Sequence, residues 1–146
     1  MFKRILLPTS GSPIAAKKAR TICQLLNDYQ DAEVTILYVM KSYPNYAVVN
    51  SQLAKEDIDP NQIYLDDAKK IVRKALQVFK EQNVPYKIRI EVGEPVETIV
   101  KVAEEIDAQL MVIGYHGESK LSDYLFKGNI TSRLIDNSKC PLLVVK

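Results

Sequence analysis

Three glycines and a histidine lie where they could handle phosphate. Leu110 to Ile113 is an apolar run leading into Gly114-Tyr115-His116-Gly117, and Gly128-Asn129-Ile130-Thr131 follows after a polar segment. Glycines close behind a buried strand let the backbone turn sharply and approach a ligand with no side chain in the way. A further glycine at a helix start adds free amides, which suit a phosphate. Strand, glycine loop and helix within one βαβ unit is the plan of a nucleotide site at the carboxyl end of a parallel sheet. The spacing is neither G-x-G-x-x-G nor a P-loop ending in Gly-Lys-Ser/Thr. The same glycines could serve turn geometry alone. Lys120 and Lys127 flank the loop and could face phosphates or simply be solvated.

His116 is the only histidine in the sequence, so a His-centred triad or a multi-His metal site would rest on it alone. No nucleophile elbow and no metal-ligand spacing accompanies it. It reads as an exposed or turn-capping imidazole; no catalytic residue and no metal ligand is assigned.

The elements that would position this stretch alternate. Phe2 to Pro8 reads as a buried strand ended by proline. Ser12-Pro13 reads as a capped helix start, with Ala15, Ala19, Ile22 and Leu26 at helical spacing to about Tyr29. Glu33 to Met40 is a second, β-branched strand. Lys41 to Asp59 shows no period and reads as a long loop, either functional or merely connecting. Asp59-Pro60 repeats the cap-then-proline start; Leu65, Ala68, Val72, Ala75 and Phe79 give that helix one apolar face to about Asn83. Val84 to Val92 is the third strand. Gly93-Glu94-Pro95 opens a third helix, burying Val96, Ile99, Val100 and Ala103 and stopping near Asp107. The glycine stretch, a fourth helix with Leu134 and Ile135, and a strand from Leu142 to Val145 complete the series. Such alternation implies parallel strands joined by right-handed crossovers.

Three segments carry a resemblance. They are Arg4-Ile5-Leu6-Leu7-Pro8-Thr9-Ser10-Gly11-Ser12, then Gly93-Glu94-Pro95 with Ile99, Ala103, Asp107 and Leu110 to Gly114, and finally Cys140-Pro141-Leu142-Leu143-Val144-Val145. Over nearly its whole length the chain resembles the universal stress protein family. The resemblance implies a single doubly wound five-stranded parallel α/β domain, strand order 3-2-1-4-5, with helices on both faces. It also implies a homodimer, and a branch that binds ATP through Gly, two residues, Gly, nine residues, Gly-Ser/Thr. Here the last gap is one residue longer, and Asn129 follows the glycine.

By the same resemblance Pro8, Thr9 and Ser10 form a ribose-facing turn, and Val39 meets adenine through backbone groups. Gly114, Gly117, Gly128, Asn129 and Ile130 form the phosphate cradle, with His116 and Lys127 beside it. The expected ligand is ATP or another adenine nucleotide, with or without magnesium. Ser10 stands where the family has Asp. Charged hydrogen bonds are worth roughly 1.5 to 3 kcal/mol against about 1 for neutral ones, so affinity is expected to fall around tenfold. The dimer is expected through Leu142, Leu143, Val144 and Val145, an apolar edge that a symmetry mate would pair. The alternative is a dimeric interaction module of the same fold without a nucleotide. An enzyme of the PP-loop type comes third, since Ser10-Gly11-Ser12 lacks the second Gly and the Asp-Ser ending of that motif.

Bulk properties bound the class of protein. A length of 146 residues with 47% hydrophobic content suits one domain with a real core. A formal charge of +2, evenly spread, is no footprint for nucleic acid. Cys23 and Cys140 form no CxxC pair and read as free thiols of a reducing cytoplasm. Neither a signal-peptide pattern nor an apolar run of about 18 residues is seen, so no membrane role is expected.

Overall fold

A computed structural model describes residues 2–11, 13–26, 31–40, 60–115 and 130–146. In chain order they form β1 (Arg4–Pro8), α1 (Ile14–Leu25), β2 (Glu33–Met40), α2 (Pro60–Glu81), β3 (Tyr86–Val92), α3 (Pro95–Glu105), β4 (Leu110–Gly114), α4 (Ile130–Asn137) and β5 (Leu142–Val145). The strands form one five-stranded sheet in the order β3-β2-β1-β4-β5, and every pairing is parallel. The expectations on Ser12, Tyr29 and the segment Lys41 to Asp59 lie outside the described residues.

The central strands are apolar on both faces because helices cover both. Period-two alternation sends Ile5 and Leu7 of β1 to one side and Leu6 to the other. On the first side they meet Ala15, Ala19 and Ile22 of α1 and Val72, Ala75 and Phe79 of α2. On the second, Leu6, Leu37, Met111 and Ile113 meet Val96, Ile99 and Val102 of α3 and Leu134 of α4. Leu65 and Ile135 depart from their expected faces and are exposed, while Val100 is only half-buried.

Helix ends differ from the sequence expectation for a common reason. Asn83 and Asp107 take left-handed conformations, φ 55° and 52°, which Asn and Asp tolerate better than most residues. The amide of the next residue then reaches back five positions, Val84 to the Phe79 carbonyl and Ala108 to the Ala103 carbonyl, each at 2.9 Å. This closing motif satisfies the last carbonyls of α2 and α3. It ends α2 at Glu81, and it uses Val84 in the cap, so β3 begins at Tyr86. At the start of α1 it is Pro13 itself that takes the cap position, with φ −56°, ψ −28° and no side-chain cap bond. Its ring fixes a φ already suited to helix.

The turn after β1 needs its glycine. Gly11 has φ +84°, and a Cβ there would lie 2.9 Å from both the carbonyl oxygen and Cγ2 of Ile71. Gly11→Ala therefore combines backbone strain with a clash on α2, and urea denaturation should show a loss of about 2 kcal/mol or more.

α1 buries one charge among its apolar residues. Lys18 is 1% exposed, and burial pulls its pKa from 10.5 to about 7. Below pH 7 the lysine is charged in both folded and unfolded chains, so the cost of dehydrating the ammonium weighs fully against folding. As pH rises through 7 the native amine loses its proton while the unfolded chain keeps its own, and that cost is relieved. Lys18→Met should accordingly be more stable than the parent protein below pH 7, by up to a few kcal/mol. Denaturation from pH 6 to 10 should show the gap narrowing with rising pH.

Candidate functional site

A single residue, Pro8, opens the carboxyl edge of the sheet. The Gln109 amide donates to the Arg4 carbonyl across the β1–β4 seam, and the Thr9 amide donates to the Leu37 carbonyl on β2. Backbone groups alternate sides along a strand, so Arg4, Leu6 and Pro8 face β4. Pro8 has no N–H to offer there. Pairing between β1 and β4 is confined to Ile5↔Leu110 and Leu6↔Met111. Their outer ladders run further, to Pro8↔Leu37 on one side and Gly114↔Val145 on the other. The two strands thus part near their carboxyl ends, at the place where strand order reverses. In doubly wound sheets that is where ligands bind.

Both walls of this crevice carry expected residues. On the β1 side, Thr9 is buried and Ser10 exposed, and the Gly11 amide turns back to Thr9 Oγ1 at 3.4 Å. On the β4 side stands Gly114, whose carbonyl accepts the Thr131 hydroxyl at 2.5 Å. That bond fastens the first turn of α4 to the end of β4, bringing Ile130 to the same edge. Two strands pair beyond the turn of β1, from Tyr38↔Ile90 to Met40↔Val92. By the same alternation Val39 directs its backbone groups to the β1 side, just past the last β1–β2 pair. Pro8, Thr9, Ser10, Val39, Gly114 and Ile130 therefore gather along one edge. His116, Gly117, Lys127, Gly128 and Asn129, with Lys120, lie outside the described residues.

Gly114 does not serve turn geometry. Gly11 is the only glycine with positive φ among the described residues. A Cβ on Gly114 would sit 3.6 and 3.7 Å from Ile14 side-chain carbons, an ordinary contact. Neither backbone nor packing among the described residues demands glycine there.

Two features of this edge escape a hydropathy reading. Lys18 sits one turn beyond Ile14, three residues after Ala15 and four before Ile22, on the buried face of α1. Helix side chains lean toward the amino terminus, and its Nζ reaches the Pro8 carbonyl at 2.8 Å. The lysine supplies a donor to a carbonyl that faces the parted seam. A lysine at that helical spacing was the available signal. The second feature is Glu94, which caps α3 by accepting the Glu97 amide at 2.8 Å and pairs with Arg133 of α4 at 3.1 Å. Burial pushes the Glu94 carboxyl up, but the Glu97 and Val96 amides and Arg133 outweigh it and hold its pKa below the usual range. The amino ends of α3 and α4 are thereby tied together at this edge.

Beyond the crevice the Tyr115 amide continues the ladder to the Val145 carbonyl at 3.0 Å. Its half-exposed ring lies under the Lys146 ammonium, 5.1 Å from the centroid. Cys23 and Cys140 are free and half-buried, each thiol pushed up by burial. Among the described residues no group of three or more His, Cys, Asp or Glu could hold a metal ion, and no helix is long and apolar enough to cross a membrane.

Known proteins share this fold. Universal stress protein MJ0531 of Methanocaldococcus jannaschii is 29% identical, over 100% of this chain and 83% of its own length. The solved structure of MJ0577 from the same organism superposes with a TM-score of 0.73 at 27% identity, covering 100% of this chain and 96% of that one. A universal stress protein solved in complex with cAMP has a TM-score of 0.66 at 22% identity, covering 99% and 96%, and shows the shared fold. The family profile described as the universal stress protein family matches residues 1–146, and the chain belongs to that family.

Proposed function

We propose that this chain is a cytoplasmic stress-response module that binds an adenine nucleotide in the β1–β4 crevice and signals through a homodimer. The observation that carries this reading is the parted seam beside a glycine that the fold itself does not require. Adenine would meet the backbone of Val39, ribose the Pro8-Thr9-Ser10 turn, and phosphate the edge between Gly114 and Ile130. His116, Gly117, Lys127, Gly128 and Asn129 would complete the phosphate cradle. That a relative of this fold was solved with cAMP supports a crevice of suitable size. Binding is expected to be weak, micromolar to millimolar, because Ser10 offers a neutral hydroxyl where a carboxylate would make a charged bond. Hydrolysis is expected to be slow or absent, with no placed base assigned.

Calorimetry with ATP, ADP and AMP tests this directly. Gly114→Ala should leave the melting temperature nearly unchanged, since its Cβ meets only Ile14 at contact distance, yet weaken nucleotide binding about tenfold or more. Ser10→Asp should tighten ATP binding in the presence of magnesium. No saturation with any adenine nucleotide at millimolar concentration, with or without Ser10→Asp, would favour an interaction module of the same fold.

The dimer would form through β5. At the other edge, β3 presents Lys87, paired with Glu33 at 2.9 Å, and Arg89, paired with Glu91 at 2.7 Å and with Glu105. Such charges discourage strand addition. The β5 edge carries only Leu142, Leu143, Val144 and Val145, the first three half-buried. Antiparallel pairing with a second copy would cover it. Sedimentation should find a dimer at tens of micromolar, and Val144→Asp should yield monomer; a monomeric parent protein rejects this arrangement.

A further inference from the structure

We propose that the outer flank of α4, centred on Ile135, packs against the same flank of a second copy of this chain, so that the homodimer joins helices as well as strands, on one face of the sheet. This rests on the β5 pairing above and adds to it a second contact layer and the residue at its centre.

The strand is too short to hold a dimer alone. A stable interface takes about 20–30 residues from each side, and β5 supplies four. The rest must come from what flanks β5 on either face of the sheet. On the α1 side that flank is polar: Lys17 is bonded to the Lys146 carbonyl, and the Thr21 hydroxyl donates to the Lys17 carbonyl at 2.9 Å. Gln24, next on the same stripe of the helix, is exposed.

The α4 side differs. Successive helix residues turn by about 100°. Leu134, 1% exposed, points into the core, and Arg133 reaches sideways to Glu94 of α3. Ile135 therefore leaves α4 on the flank opposite α3, toward the open β5 edge. It is 53% exposed, the most of any large apolar side chain among the described residues. Ser132 and Ser138, close to one turn on either side, are short, so the isoleucine stands out on this flank. On the same face of the sheet Leu142 and Val144 are half-buried against the cluster that holds Leu134. A lone exposed isoleucine would mean little; this one extends an apolar sheet edge, and extended apolar patches mark contacts.

Its height along the sheet is the last ground. The Thr131 hydroxyl fastens the first turn of α4 to the Gly114 carbonyl, and Gly114 is level with Val145. Ile135 lies four residues further along the helix, about 6 Å back across the sheet. Two strand residues span about 7 Å, so Ile135 stands level with Leu143, at the middle of β5. Antiparallel pairing of two β5 strands sets its two-fold axis perpendicular to the sheet. Such an axis keeps each face on its own side, and one passing beside the middle of the strand brings the two copies of Ile135 together.

Sedimentation and chemical cross-linking test the contact. Ile135→Ala should raise the dimer dissociation constant about tenfold or more, and Ile135→Asp further still. Leu65→Asp, which replaces an apolar side chain also exposed but on α2, should leave it unchanged. In a Cys23→Ser, Cys140→Ser background, Ile135→Cys should be joined to its copy by a short bismaleimide, and Leu65→Cys should not. Ile135 is exposed in the protomer, so these substitutions leave its core intact, and the cross-link reads proximity without relying on a change in affinity. A dissociation constant unmoved by Ile135→Asp, or Ile135→Cys cross-linking no better than Leu65→Cys, overturns the α4 contact and leaves the β5 dimer standing. A parent protein monomeric at tens of micromolar, or a dimer that survives Val144→Asp, overturns both readings.

Discussion

One absent N–H shapes the carboxyl edge of this sheet. Pairing across the centre of the sheet stops after two registers, Ile5↔Leu110 and Leu6↔Met111, and the next residue on β1 that faces the seam is a proline. Any other residue there would bring an amide capable of extending the ladder. The crevice is therefore built into the sheet. Thr9, Ser10 and Gly114 border it because β1 and β4 stop pairing before they end.

Opening a seam leaves polar groups that must be satisfied where solvent is scarce. The structure answers with side chains drawn from the helices: Lys18 of α1 donates to the Pro8 carbonyl, and Thr131 of α4 donates to the Gly114 carbonyl. Each bond spans one wall of the crevice and one covering helix. The Glu94–Arg133 pair adds a third tie, between the amino ends of α3 and α4. Its net energy is modest for a half-exposed pair; its geometric effect is to fix two helix starts relative to each other. The lysine is the costly member of this set, since a buried ammonium opposes folding where a methionine would not.

Much of the fold was legible in the sequence because burial on both sheet faces leaves near-continuous apolar runs. Glu33 to Met40 and Leu142 to Val145 agree with the observed strands residue for residue. The strand order came from the family resemblance, which periodicity alone does not supply. Helix ends were harder: nothing in the apolar spacing announces that Asn83 and Asp107 will turn left-handed and stop α2 and α3 early. Lys18 was passed over because counting apolar matches on α1 finds enough of them without it, and a long side chain at such a position can often snorkel to water. Here it turns inward to a carbonyl instead. At the site, Pro8, Thr9, Ser10, Val39, Gly114 and Ile130 could be located from motif and fold together. The reason Pro8 matters, a missing rung, becomes visible only once the register is known.

The crevice and the β5 edge are mechanically continuous. Gly114 pairs with Val145, the Tyr115 amide donates to the Val145 carbonyl, and Val144 packs on the same apolar cluster as Ile113 and Leu134. Gly114 lies past the last β1–β4 pair, Leu6↔Met111, and its described backbone ties run to β5 along the ladder and through the Thr131 hydroxyl to α4. The glycine wall of the crevice is thus built on the same ladder as the apolar edge of the sheet, while the β1 wall is held by β2 through Pro8↔Leu37 and by Lys18.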